Sequence, residues 1–104
     1  MTPTPGKTWH LRRMADAAGR FKMTAVDQRP PIKHPIAKAR GTAEAPYEDV
    51  AGFKRLLVET LQDASTAMLL DPHYAYPVAI DALKPRKGLI VTLEDSLFEE
   101  TPGG

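Results

Sequence analysis

Apolar positions along the chain follow two rhythms. Leu11, Met14, Ala15 and Ala18 recur at helical spacing. They predict a first helix over 8–17, with Thr8 as N-cap, Gly19 just past its end, and Trp9 and Met14 at core positions. A six-residue run of strand character, Phe21 to Val26, predicts a strand over 21–26. Asp27-Gln28-Arg29-Pro30-Pro31 stops it, because proline has no ladder donor. Residues 30–46 read as a loop with one short helical turn near 36–40. Lys33, His34, Lys38 and Arg40 make it the most basic part of the chain. The longest helix is predicted over 46–64. Pro46, Glu48 and Asp49 suit its first turn. Val50, Phe53, Leu57, Leu61 and Ala64, widened by Leu56, form its apolar stripe, with Lys54, Arg55, Glu59 and Gln62 facing elsewhere. A second strand over 65–70 ends at Asp71-Pro72. A short helix over 77–83 and a turn over 85–88 lead to a third strand over 88–93, ended by Glu94-Asp95.

Strands that do not alternate apolar with polar fit a sheet covered on both faces. Strand–helix–strand order makes that sheet parallel, so the fold class is α/β. All carboxyl ends of a parallel sheet lie on one edge, where α/β sheets and barrels bind ligands. Asp27, Asp71 and Glu94 each follow a strand and therefore share that edge. An Asp after a strand also caps helices and seeds turns, and Asp-Pro is a common turn pair. Asp27-Gln28-Arg29 groups an acceptor, an amide and a guanidinium. Arg29 can hold a phosphate or carboxylate with two parallel bonds; a surface Arg paired with a nearby acid is the plainer reading. His10, His34 and His73 lack metal-ligand spacing. His73-Tyr74-Ala75-Tyr76 either walls a pocket or packs the strand–helix junction.

Composition narrows the choice. The 104 residues carry 14 Lys and Arg against 13 Asp and Glu, which argues against nucleic acid held by bulk charge. No cysteine is present, so a thiolate metal site or cysteine nucleophile is excluded. No stretch approaches the length of a membrane span. Residues 1–7 lack an apolar signal core and read as a flexible lead, with 8–104 as the folded segment and the cytoplasm as the default compartment. Ten prolines are about twice the usual share of roughly 5%.

Two motifs go beyond pattern. Phe21-Lys22-Met23-Thr24-Ala25-Val26-Asp27-Gln28-Arg29 resembles the first barrel strand of the tagatose 1,6-bisphosphate aldolase family. Leu69-Leu70-Asp71-Pro72-His73-Tyr74-Ala75-Tyr76-Pro77 resembles that family's second strand and its exit. The sulfofructose phosphate aldolases share the first motif. The resemblance implies the N-terminal three βα units of a (β/α)8 TIM barrel, class I Schiff-base aldol chemistry, no metal and no cofactor. It implies a sugar-phosphate substrate contacted by Asp27, Gln28, Arg29, Asp71 and Glu94, and allows a homo-oligomer. The family's Schiff-base lysine lies on a later strand. Lys22, inside the first strand, and Lys87, before the third, do not match it, so no catalytic residue is expected in this chain and the chain alone is expected to be inactive. Thr101-Pro102-Gly103-Gly104 reads as the start of a loop after the third strand. The competing expectation is a small, non-catalytic α/β module that binds a sugar phosphate.

Overall fold

The computed structural model describes residues 2–93. The chain runs α1 (Pro5–Arg13), β1 (Met23–Val26), α2 (Pro30–Arg40), α3 (Tyr47–Leu61), a 3-10 turn (Gln62–Ala64), β2 (Ala67–Leu70), α4 (Ala75–Ala79) and β3 (Gly88–Val91). The strands form one parallel sheet in the order β1-β2-β3, as the unalternated runs predict. Val26 pairs with Leu70 and Leu70 with Val91, so these three share a face. Val26, Met68 and Leu70 pack on that face against Val58 of α3 and Ala75 and Ala79 of α4. Both helices therefore cover the same side. On the opposite face Met23 is 49% exposed, and Met14 covers only the amino end. A Cβ on Gly88 would come within 2.5 Å of the Met14 side chain, so this close approach requires glycine. Among the described residues no helix is long and apolar enough to cross a membrane.

Several expectations are corrected. The first helix starts at Pro5, because Thr4 accepts from the Lys7 amide and proline is at home in a first turn. It buries nothing: Trp9 is 55% exposed, with the Arg13 guanidinium over its ring. Gly19 serves a later turn, at φ +80°, where Asp16 gathers the Ala18 and Arg20 amides. Residues 30–40 are a helix, not a loop. Pro30 and Pro31 fill positions whose amides have no helical partner anyway, and Gly41, at φ 69°, closes the other end. Pro35 forfeits one internal hydrogen bond, which the helix tolerates.

The buried face of α3 is rotated from the expected stripe. Val50, Ala51, Lys54 and Val58 are buried, while Phe53, Leu56 and Leu61 are exposed. Gln62, expected outside, is buried and bridges to the chain after α4 through the Ala82 carbonyl and the Lys84 amide.

Candidate functional site

The carboxyl ends of β1 and β2 adjoin because Val26 and Leu70 are register partners. Asp27 and Asp71 therefore begin on the same rim. Asp27, Gln28 and Arg29 are each half-buried there. The Arg29 carbonyl accepts from the Ile32 and Lys33 amides, so α2 departs directly from the rim. Thr92, after β3, donates its amide to the Leu70 carbonyl and extends the rim by one strand. Glu94 falls outside the described residues.

Asp71 is fully buried, and four donors hold its carboxylate. Oδ1 accepts from the Lys54 ammonium at 2.6 Å and the Ala75 amide at 3.2 Å. Oδ2 accepts from the Tyr74 amide at 2.8 Å and the His73 amide at 3.0 Å. The side chain thus caps α4 and ties the turn after β2 to α3. Capping also explains why α4 begins at Ala75, two residues before its expected start. The structure brings Asp71 to the rim but aims its carboxylate inward.

Lys54 is the residue that periodicity misses. Its polar head suggested solvent, yet both partners of the Lys54–Asp71 pair are 0% exposed. The detectable signal was spacing: Val50, Lys54 and Val58 sit four apart, on one line of the helix. Burial pulls the Lys54 ammonium below its ordinary value; Asp71 opposes that shift, Arg29 reinforces it and Asp27 opposes it. Burial pushes the Asp71 carboxyl up, but the Lys54 ammonium with the Tyr74 and Ala75 amides outweighs it, leaving Asp71 below its ordinary value. Asp27, Arg29, Lys54 and Asp71 thus form one electrostatic group beneath the rim.

Lys22 and Lys87 lie at the other end of the sheet. Lys22 pairs with Asp16 at 3.2 Å, and Lys87 donates to the Ser65 carbonyl at 2.7 Å. Beside the rim, α2, α3 and the turn after β2 enclose a cleft of about 570 Å³ lined by Arg29, Lys33, His34, Tyr47, His73 and Tyr74. The tyrosine rings stack at 5.1 Å.

No family model matches the chain. A tagatose 1,6-diphosphate aldolase of Listeria monocytogenes serotype 4a is 36% identical over 101 residues, covering 97% of this chain and 29% of the relative. One from Streptococcus agalactiae serotype V is 30% identical over 96 residues, covering 92% and 29%. Tagatose 1,6-diphosphate aldolase 1 of Enterococcus faecalis is 30% identical over 98 residues, covering 93% and 29%. The chain spans less than a third of the length of these curated relatives. The likeness read from two short motifs thus extends over nearly all of the sequence, and the chain is a relative of the tagatose 1,6-diphosphate aldolases.

Proposed function

We propose that this chain is the first part of a (β/α)8 barrel, about three of its eight βα units, and forms the substrate mouth of a class I ketose-bisphosphate aldolase. The observation that carries the reading is the shared rim, where Asp27-Gln28-Arg29 stands beside Asp71 with Lys54 beneath, 2.6 Å from its carboxylate. The half-open face supports it. Met23 and Ala25 are exposed apolar residues on the side away from the helices, the side a closed barrel fills with its own side chains. Sequential strand order with both packed helices on one side also fits a singly wound barrel.

In this reading Arg29 and Gln28 hold a phosphate or hydroxyl of the sugar, and Asp27 orients them. Glu94, which follows the third strand in sequence, is a further sugar contact in this reading. Asp71 acts through Lys54 and the α4 cap, without touching substrate. The whole protein cleaves tagatose 1,6-bisphosphate to dihydroxyacetone phosphate and glyceraldehyde 3-phosphate in the cytoplasm, through a lysine Schiff base. Lys54 has the lowered basicity such a lysine needs, but a buried ion pair blocks its approach to a carbonyl.

Borohydride reduction in the presence of a ketose bisphosphate tests the assignment. No lysine of this 104-residue chain should be trapped. A sugar adduct on Lys54 or any other lysine would overturn the claim that the chain lacks the nucleophile. Ketose bisphosphate should perturb the amide resonances of Asp27, Gln28 and Arg29. Their silence at saturating sugar would overturn the mouth assignment.

A further inference from the structure

The cleft beside the rim carries an inference of its own. Arg29 and Lys33 are four residues apart, and the Arg29 carbonyl accepts the Lys33 amide at 2.8 Å, so both face one side of the first turn of α2. His34 follows on the same helix. Across the cleft, the turn carrying His73 and Tyr74 is fixed twice. Asp71 accepts both of their amides, and the Tyr47 hydroxyl donates to the His73 carbonyl at 2.7 Å. Tyr74 forms the floor. Its ring stacks on Tyr47, with the Lys33 ammonium 5.9 Å and the Lys54 ammonium 5.5 Å from its centroid.

Among the described residues the wall holds two permanent cations and two imidazoles, and no carboxylate. Asp71, beneath it, is already taken up by four donors. A neutral imidazole still offers one N–H, so Lys33, His34 and His73 can each donate to an anion. The volume, about 570 Å³, suits a small metabolite. We propose that this cleft binds a phosphomonoester, with Lys33 as the principal charge, Arg29 shared with the rim, and His34 and His73 as flanking donors. The assignment shares Arg29 with the rim of the aldolase reading, while its principal charge, Lys33, belongs to the outer wall.

The test is titration of the 104-residue chain with inorganic phosphate, followed by the Lys33, His34 and His73 resonances. Saturable shifts are expected there. Lys33→Glu should weaken binding by about tenfold or more, the loss of one charge-assisted hydrogen bond, while its melting temperature holds. Lys33→Met serves as a second variant should the reversed charge disturb α2. Lys38→Ala, on α2 but outside the cleft, should leave phosphate binding unchanged. No saturable shift, or full affinity in both Lys33 variants, overturns the proposal. Fructose 1,6-bisphosphate then separates two sources of the phosphate. Weakening by Asp27→Asn as well as Lys33→Glu identifies a phosphate carried by the rim's own sugar. Weakening by Lys33→Glu alone identifies an independent phosphorylated ligand.

Discussion

Replacing Lys54 by alanine should cost this fold more than any other single side-chain truncation on α3. Both partners of the pair are fully buried and 2.6 Å apart. Breaking a buried pair by removing one member typically costs about 3–5 kcal/mol, because the remaining charge loses its compensation without regaining water. Asp71 would keep the His73, Tyr74 and Ala75 amides, which places the expected loss at the lower end, about 3 kcal/mol. A domain of this size has about 5–15 kcal/mol of total stability and shifts its melting point by about 4–8 °C per kcal/mol. Lys54→Ala should therefore melt roughly 12–24 °C lower by circular dichroism, with a matching fall in the urea midpoint. The double change Lys54→Met with Asp71→Asn removes both charges while keeping volume and a capping oxygen. It should recover most of the loss, since apolar replacements of whole buried pairs are often neutral or stabilising. A loss under about 1 kcal/mol for Lys54→Ala would refute the reasoning, because it would put the pair in the range of a solvated surface bridge.

Acid should act through the same carboxylate. The folded state holds Asp71 below its ordinary 3.8, so its stabilisation is complete above that pH and is lost as pH falls through the depressed value. Melting temperature should stay level from neutral to about pH 5, then fall below the ordinary carboxylate value, and fall less in the double variant. Gly88→Val should lose about 1–3 kcal/mol by overpacking against Met14 and Ala67, and Met14→Ala should restore part of it in a urea titration. Met68→Ala, which empties a fully buried site between sheet and helices, should cost about 2–5 kcal/mol, whereas Leu56→Ala on the exposed side of α3 should stay within about 0.5 kcal/mol.

The strands were legible because a parallel sheet demands something of every strand residue. An unbroken apolar run such as 67–70 has few other uses, and the carboxylates that end such runs fall on one edge by topology alone. Asp27 and Asp71 could be placed on one rim for that reason. What they do there could not, because an Asp that caps a turn and an Asp that meets a ligand have the same neighbours in sequence. Helices were less legible where a residue's usual habit misled. Proline suggested a loop over 30–40, though two of the three prolines sit where a helix needs no amide. Trp9 suggested core on a helix that buries nothing. The widest error, on Lys54, is also the most informative. Treating lysine as a solvent marker turned the buried face of α3 toward Phe53 and Leu56 and hid the cation beneath the rim. An apolar residue at 54 would pack as well and carry no desolvation cost. A lysine there makes physical sense only as the partner of a carboxylate that must stay charged, and Asp71, closing the turn that carries His73 and Tyr74, is that carboxylate. The ion pair thus links the α3 face that the hydrophobic pattern misassigned to the turn that walls the phosphate cleft.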